Sequence, residues 1–160
     1  MNAFRPKIFL DSTDMKILDI LQHRADTHVN YIASQVYKSP SATHERIRKM
    51  RETGVIQKYV AVLDRRLVGR PTLVTTMVRL NNHAAQTLRD FAFEMNRLME
   101  VQFCLHLSGE FDFLLMITLC DAQEYEEFLD SKLLEMPIVE RIQSSFVLKE
   151  CKTMAALPLA

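Results

Sequence analysis

The chain has 160 residues, 48% of them hydrophobic and 25% charged, which is enough for one domain of ordinary size or two small ones. The net charge is zero, but the charges are unevenly distributed. Residues 1–66 hold 12 Lys and Arg against 7 Asp and Glu, whereas residues 67–160 hold 8 Lys and Arg against 13 Asp and Glu. This asymmetry favours a basic module that faces nucleic acid, joined to an acidic module. The sequence shows no apolar signal segment and no apolar run long enough to span a membrane, and its three cysteines include no Cys-x-x-Cys pair, so we expect a cytoplasmic protein rather than a secreted or membrane protein. It also shows no glycine-rich phosphate loop, which argues against a nucleotide-binding protein.

The first two predicted helices are short and amphipathic. Asp11 is a suitable N-cap for the first, and Asp14 at its third position favours the positive end of the helix dipole. This helix is expected to end near Arg24, and the second to run from about Val29 to Tyr37. Their inward-facing residues are predicted to be Ile17, Leu18, Leu21, Ile32, Ala33 and Val36.

The third predicted helix lies between Ser39 and Gly54 and has two chemically different faces. Ser39 can cap its free N–H groups, Pro40 suits the first helical position, and Gly54 suits the left-handed residue that closes it. The packing stripe is Thr43, Ile47 and Met50, and the opposite face carries Ser41, His44, Glu45, Arg48 and Glu52, flanked by Arg46, Lys49 and Arg51. Three such helices predict a helix-turn-helix whose last helix enters a DNA major groove. Taken alone, this stretch also fits a solvated amphipathic helix.

The hydrophobic pattern changes after the third helix. Val55–Leu63 has strand composition and predicts a connecting strand or linker. From Pro71 the predicted order is β-α-β-β-α-β, with strands over 72–80, 101–107, 113–119 and 142–148, a helix capped by Asn82 that ends near Arg97, and a helix that starts at Asp121 and stops before Pro137. In the second strand, Val101, Phe103, Leu105 and Leu107 are expected to form the buried side. Helices cover one face of such a sheet, so we expect the other to pack against a copy of itself.

These elements predict an α+β chain of two domains. A three-helix winged helix-turn-helix domain is expected over residues 1–55, followed by a connecting strand and linker over 56–70. A ferredoxin-like βαββαβ domain is expected over 71–153, and a C-terminal tail over 154–160.

Several groups of residues form one pattern along the chain. They are Leu10-Asp11 with Asp14 and Ile17-Leu18; Ser39-Pro40 with Arg46-Ile47 and Met50; Gly54-Val55-Ile56; Ser108 to Leu115; and Ser145-Phe146-Val147 with Lys149-Glu150 and Lys152. With them the chain resembles the leucine-responsive regulatory protein and asparagine regulator (Lrp/AsnC) family, over nearly everything from Leu10 to Lys152. The resemblance implies a bacterial or archaeal transcription regulator. Its N-terminal domain would bind double-stranded DNA, and its C-terminal domain would form homodimers, often assemble further to octamers of four dimers, and bind an amino-acid effector between dimers.

Three positions depart from the family pattern. Tyr37-Lys38 stand where the family usually has Gly-Leu, and a Tyr with positive φ costs about 1 kcal/mol or more, so we expect a different turn geometry. Glu45 stands where the family often has Arg, so base contacts taken over from the family are in question there.

The predicted DNA-binding residues lie on the third helix and begin with Ser39. Ser41, His44, Glu45 and Arg48 are expected to face base edges, and Arg46, Lys49 and Arg51 to reach phosphates. Arg48 suits guanine, and Glu45 suits the amino group of cytosine. The alternatives are that Glu45 only forms an ion pair with Arg48 or Lys49 and that His44 is an ordinary surface residue.

The predicted effector site is the turn Leu107, Ser108, Gly109, Glu110, Phe111 and Asp112, completed by Ser144 or Ser145 of a partner chain. Backbone groups of a tight turn can hold the carboxylate and ammonium of an amino acid, and Gly109 allows close approach. The alternative is a simple hairpin turn. The identity of the amino acid is open.

We predict no cofactor, metal site or catalytic activity. Cys104 and His106 share a strand face, but two ligands are too few for zinc. Carboxylates such as Glu124 and Glu127 lie on a charged outer face, and no nucleophile, base and orienting group can be assembled. The alternative function is an amino-acid-binding and oligomerisation module that acts through a protein partner without direct DNA binding.

Overall fold

A computed structural model describes residues 8–152 and 156–159. The chain divides into two compact units, residues 1–61 with 152–160 and residues 62–151. Residues 1–7 of the predicted first domain, residue 153 of the predicted second domain, and residues 154, 155 and 160 of the predicted tail lie outside the described part. In the described part, no helix combines the length and the apolar character needed to cross a membrane.

The first unit contains the three predicted helices. They are α1 (Ser12–His23), α2 (Val29–Gln35) and α3 (Pro40–Glu52). Asp11 caps α1 in a full capping box with Asp14, as predicted, because each residue's carboxylate accepts from the other's backbone N–H. The buried core of this unit comprises Ile17, Leu21, Ile32, Val36 and Met50, with Ile47 packed against it. The predicted inward stripes are therefore confirmed.

The turn between α2 and α3 keeps a left-handed residue although that residue is a tyrosine. Tyr37 has φ 54°. Its N–H donates to Ser34 O at 3.4 Å, and the next N–H, of Lys38, donates to Ala33 O at 3.0 Å. This pair of bonds is a Schellman motif with Tyr37 at the left-handed position. The expectation that the turn would change its geometry to avoid positive φ is therefore wrong.

The segment after α3 does not form the predicted strand. Within the described residues no strand is assigned before Thr72. The Ile56 N–H donates to Met50 O at 3.0 Å, and a turn follows in which Leu67 and Val68 donate to Asp64 O. Strand composition was a misleading signal here because a lone extended segment has no neighbour with which to form a ladder.

The second unit has the predicted ferredoxin-like order. Its strands are β1 (Thr72–Leu80), β2 (Val101–His106), β3 (Phe113–Leu119) and β4 (Val139–Phe146). Its helices are α4 (Ala85–Arg97) and α5 (Ala122–Phe128), and α5 continues as a π-helical turn over Leu129–Leu134. The sheet order is β2-β3-β1-β4, and every neighbouring pair is antiparallel. The β2–β3 connection and the start of β4 therefore lie at the same end of the sheet as the end of β1.

One face of the sheet carries the core and the other is open. On the covered face Val74, Val78, Leu115 and Ile117 are buried together with Phe91 of α4. The α5 helix adds Tyr125 and Phe128, and the π-helical turn adds Leu133.

From Phe103 onward the second strand presents the opposite side from the one predicted, whereas Val101 packs against the core as predicted. Phe103 and Leu105 are 38% and 48% exposed, whereas Cys104 packs against the core. A register irregularity between Val101 and Phe103 moves the strand by one residue relative to β3. Because side chains alternate, a shift of one residue exchanges the two faces. Phe103 and Leu105 therefore belong to the open face of the sheet.

The start of α4 also differs from the prediction. Ala84 is the N-cap residue, and its N–H donates to the Asn82 side chain at 2.8 Å. Asn82 thus forms a local turn two residues before the cap, a common role for this side chain.

Candidate nucleic-acid interface and effector site

The predicted DNA-binding residues lie on the outer face of α3, with one exception. Thr43 and Met50 are buried on the inner face. Of the predicted DNA-binding residues, those exposed on the helix are Ser41, His44, Glu45, Arg48, Lys49 and Arg51. Ser39 starts the helix and its Oγ accepts from the Ala42 N–H at 3.2 Å, so its hydroxyl serves as the cap and also contacts Ser41 Oγ at 3.1 Å.

The exception is Arg46, whose guanidinium points back to α1. Its Nη1 donates to Asp11 Oδ2 and Asp14 Oδ1, both at 2.8 Å. These two hydrogen bonds raise the pKa of Arg46, and the pKa of Asp11 is lowered, first by the Asp14 N–H and then by Arg46. The predicted phosphate contact of Arg46 is therefore replaced by an interhelical ion pair within the unit. Sequence spacing on α3 did not reveal this pairing because its partners lie more than 30 positions away.

Arg48 lies at the centre of the outer face and is held by two carboxylates. Its Nε donates to Glu45 Oε2 at 2.9 Å, and its Nη1 donates to Glu52 Oε1 at 2.5 Å. The hydrogen bond from Arg48 lowers the pKa of Glu45, and the same contacts raise the pKa of Arg48. The alternative role of Glu45 as an ion-pair partner of Arg48 is therefore realised in the free chain. Base contacts by Arg48 require it to exchange these carboxylates for DNA.

A groove of about 430 Å³ adjoins the C-terminal half of this face. It is lined by Arg48, Arg51, Glu52, Ile56 and Gln57. The Arg51 guanidinium carbon lies 5.9 Å from the ring centroid of Tyr59. Gln57 was not among the predicted site residues. Its position three residues after Gly54, which ends the helix, is the signal that would place it beside this face.

The predicted effector turn has an exposed crest and a buried base. Ser108, Gly109 and Glu110 are exposed, and the Leu107 N–H closes the turn by donating to Asp112 O at 2.8 Å. Gly109 has φ 154°, and apart from Gly109 and its two chain neighbours no residue comes within 4 Å of the position that a β-carbon would take. The turn therefore requires glycine for its backbone conformation, while the space beside it is open.

Asp112 is part of the fold's own hydrogen-bond network. Its buried Oδ2 accepts from the Leu80 N–H at 2.8 Å, and its Oδ1 lies 3.1 Å from Nε2 of His83. The Asp112 N–H donates to Val78 O at 2.9 Å. A buried carboxylate needs such partners, and these partners join the start of β3 to the end of β1. The side chain of Asp112 therefore has a structural role, and the place of this residue in the wall of an effector pocket stays a prediction.

Arg141 of β4 is a neighbour of the turn that was not predicted. Its Nη1 donates to Glu110 Oε1 at 2.8 Å. Its guanidinium carbon lies 5.3 Å from the ring centroid of Phe111, which is buried. The turn and Arg141 meet because β4 starts at the same end of the sheet.

Ser144 and Ser145 point to opposite faces of the sheet. Ser144 pairs with Thr76 and its Oγ bonds the hydroxyl of Tyr125 on the covered face. Ser145 pairs with Thr75. Because side chains alternate along a strand, Ser145 lies on the open face, opposite to Ser144. Ser144 also lies three strand positions, or about 10 Å, beyond Arg141. Within one chain these serines do not join the turn, and only Ser145 faces the side on which a second sheet can pack.

Among the described residues, no group of three or more His, Cys, Asp or Glu side chains has an arrangement that could hold a metal ion. Burial raises the pKa of the Cys104 thiol. Cys104 packs against the core of the second unit.

Comparisons with family models identify both units. The model described as winged helix-turn-helix DNA-binding matches residues 10–57. The model described as the Lrp/AsnC ligand binding domain matches residues 73–157.

Similar proteins match along nearly the whole chain. The transcriptional regulator AzlB of Bacillus subtilis is 28% identical over 95% of this chain and 97% of its own length. The leucine-responsive regulatory protein of Haemophilus influenzae is 32% identical over 89% of this chain and 86% of its own length. A transcriptional regulator of Neisseria meningitidis, solved as a complex with L-Met, has 33% identity and a TM-score of 0.86 over 94% of this chain and 97% of its own.

Proposed function

The chain belongs to the Lrp/AsnC family of transcription regulators, and from this premise we propose that it binds operator DNA through the outer face of α3 and that an amino acid bound at the turn 107–112 changes this binding. The observation that carries the proposal is the division of α3 into a packed inner face and an exposed outer face with Arg48, Lys49 and Arg51. A helix of this kind at the end of a helix-turn-helix fits the major groove.

On DNA the residues of α3 have separate roles. Lys49 and Arg51 are exposed cations that reach phosphates, which gives affinity that does not depend on sequence. Arg48 leaves Glu45 and Glu52 and pairs with a guanine, and Glu45 is then free to accept from a cytosine amino group. The free chain thus keeps its specificity-determining arginine neutralised until DNA supplies new partners.

The test of DNA binding uses a labelled duplex that the wild-type protein selects from a random-sequence library. Arg48→Ala is expected to weaken binding to this duplex about tenfold and to relax one base position. Lys49→Ala is expected to weaken binding to all sequences and to reduce the slope of log K against log salt by about 0.9. If the wild-type protein selects no duplex and shows no salt-dependent binding, a module that acts through a protein partner replaces the proposal.

The amino-acid effector is supported by the turn and by one relative. Exposed backbone groups at Ser108, Gly109 and Glu110 provide donors and acceptors for a zwitterion, and the space beside Gly109 is open. The Neisseria meningitidis regulator was solved with L-Met. A thermal-shift panel of amino acids tests the proposal, because a ligand at 100 times its Kd stabilises the folded chain by about 2.7 kcal/mol. Failure of every amino acid to raise the melting temperature would argue for another class of metabolite.

The open face of the sheet supports assembly. Phe103 and Leu105 leave apolar surface there, and packing two such faces together removes it from water. We propose a homodimer formed through this face, with further association of dimers up to octamers. The dimer fixes the distance between two α3 helices, which selects half-sites about one DNA turn or a multiple apart.

The mechanism proposed is a shift of populations. An amino acid that binds two arrangements of the assembly with different affinity changes their ratio, and with it the spacing of the α3 helices. Binding alone suffices for this mechanism, so we propose no catalytic step and no cofactor. The proposed location is the cytoplasm.

A further inference from the structure

The four positions with positive φ in the described chain are occupied by the three glycines and one tyrosine. Gly54, Gly69 and Gly109 have φ values of 77°, 78° and 154°, and Tyr37 has φ 54°. The chain contains three glycines in all. Every glycine is therefore used where the backbone requires it, and Tyr37 is the exception.

The backbone of Tyr37 is held in this disfavoured region by the turn. Its neighbour Lys38 donates to Ala33 O at 3.0 Å, which closes the Schellman motif. Glycine makes this motif without a clash between the β-carbon and the backbone, and asparagine tolerates it. A tyrosine at this position gives no advantage to the turn itself.

Packing of the side chain does not offset the strain either. The Tyr37 side chain is 89% exposed. By contrast, Tyr125 is buried, and its hydroxyl lies within hydrogen-bond distance, 3.1 Å, of Thr76 Oγ1. Tyr31 on α2 is also exposed, but it lies in a helix with ordinary backbone, so exposure alone would carry no argument. Strain without compensating contacts in the free chain points to a contact made with a partner.

The position of Tyr37 indicates which partner. It lies two residues before Ser39, the N-cap of α3. In a helix-turn-helix the N-terminal residues of the recognition helix contact base edges, while the first helix of the motif, which Tyr37 follows here, crosses the sugar-phosphate backbone. Tyrosine hydroxyls are among the side-chain donors that contact DNA phosphates. Resting on the proposed DNA binding, we infer that the Tyr37 hydroxyl donates a hydrogen bond to a phosphate at the edge of the groove that α3 enters.

The experiment compares wild type with Tyr37→Phe, Tyr37→Gly and Lys38→Ala. The probe is the fluorescein-labelled duplex selected by the wild-type protein, titrated at several salt concentrations, and melting temperatures are measured in parallel. Tyr37→Phe keeps the ring and the left-handed backbone and removes only the hydroxyl. Tyr37→Gly removes the side chain and relieves the strain. Lys38→Ala is the matched control at the neighbouring exposed position.

Both Tyr37 variants are expected to bind the duplex about tenfold more weakly, because each loses a hydrogen bond to a charged group. The slopes of log K against log salt for both Tyr37 variants should equal the wild-type slope, because a neutral donor releases no counterion. In the control, Lys38→Ala would lower the slope by about 0.9 if Lys38 contacts a phosphate. Tyr37→Gly should at the same time melt about 4 °C higher, which separates weaker binding from poorer folding.

Wild-type affinity in Tyr37→Phe or in Tyr37→Gly overturns the inference and leaves DNA binding by α3 intact. A changed salt slope in Tyr37→Phe also overturns it, because the loss would then come from a displaced cation. A wild-type protein that shows no salt-dependent binding to any duplex overturns the proposed function together with this contact.

Discussion

Arg46 of α3 donates from Nη1 to Asp14 Oδ1 of α1 at 2.8 Å, and the Asp14 side chain is only 14% exposed. The same carboxylate completes the capping box of α1 with Asp11. One cation thus fixes the start of the first helix against the middle of the third. The orientation of the DNA-facing side of α3 depends on a residue that we expect to make no base contact.

Replacement of Arg46 by methionine tests this role. Arg46→Met keeps the length of the side chain and leaves two carboxylates without their cation, so the free energy of unfolding should fall by about 1 kcal/mol, a value reduced by the partial exposure of the pair. Chemical denaturation measures it. Lys49→Met is the control, because Lys49 is exposed on the same helix, and its stability should stay close to wild type.

The same contact predicts a dependence on pH. The pKa of Asp11 in the folded chain lies below its usual value of 3.8, chiefly through the Asp14 N–H and then through Arg46. Its contribution to stability is therefore complete above pH 3.8 and is lost as the pH falls through the lower folded value. Melting curves in acid should show this loss, and Arg46→Met should show less of it. Equal acid sensitivity in both proteins would mean that Arg46 does not affect the titration.

Two buried threonines are expected to respond oppositely to the same substitution. Among the described residues, the Thr43 hydroxyl of α3 is buried without a hydrogen-bond partner, whereas the Thr76 hydroxyl bonds Tyr125. Thr43→Val should stabilise the chain by about 1 kcal/mol, since it removes an unsatisfied polar group. Thr76→Val should destabilise it by about 1 kcal/mol, because it removes a partner of the Tyr125 hydroxyl. Destabilisation by Thr43→Val would indicate that this hydroxyl has a partner in solution.

The glycine in the effector turn can be tested against a glycine elsewhere. Gly109→Ala and Gly69→Ala both place a β-carbon on a backbone with positive φ and open surroundings, so each should lower stability by about 1 kcal/mol. Only Gly109→Ala should also reduce the thermal shift given by the amino acid that stabilises wild type. An unchanged thermal shift in Gly109→Ala would remove the turn 107–112 from the effector site.

Glu45 and Glu52 form a matched pair because both hold Arg48. Either substitution by glutamine removes one negative charge and should strengthen binding to DNA of mixed sequence. If Glu45 reads a cytosine, Glu45→Gln alone should reduce the preference at one base position, by about tenfold. Selection from a random-sequence library measures the preference. Identical base preferences in the two variants would limit Glu45 to its ion pair with Arg48.

The proposed dimer face is tested by charge. Leu105→Lys places a cation on the open face of the sheet and should convert the assembly toward monomers, because the buried charge would lack a partner. Met99→Lys is the control, since Met99 is 90% exposed in the loop before β2. Sedimentation measures the mass of each variant. A wild-type mass for Leu105→Lys would place the contact between chains elsewhere.

Much of the fold could be predicted from neighbours along the chain. The start of α1 was marked by Asp11 with Asp14. The start of α3 was marked by Ser39 with Pro40 and its end by Gly54, and β1 was predicted with its observed bounds. These signals are local, because a cap acts over about three residues and a strand pattern over two. The outer face of α3 was predicted correctly for the same reason, since helical spacing determines which side chains share a face.

The site depended on features without a local signal. The bulge in β2 that moved Phe103 to the open face arises from its register with β3. The burial of Asp112 depends on the end of β1, and the position of Arg141 depends on the order of strands in the sheet. Such contacts join residues that are about 30 positions apart and become visible only when the chain has folded.

The sequence by itself determined the helices, the order of the elements in the second unit and the family, because caps, periodicity and turn residues act within a few positions of each other. Only the tertiary structure decided which charges stay free. Arg46 and Arg48 lie two positions apart on α3, yet Arg46 forms ion pairs with Asp11 and Asp14 at the start of α1, and Arg48 forms ion pairs with Glu45 and Glu52 on its own helix. Tertiary structure also decided that Tyr37 accepts a left-handed backbone, because the hydrogen bonds of the turn outweigh the local preference of the residue.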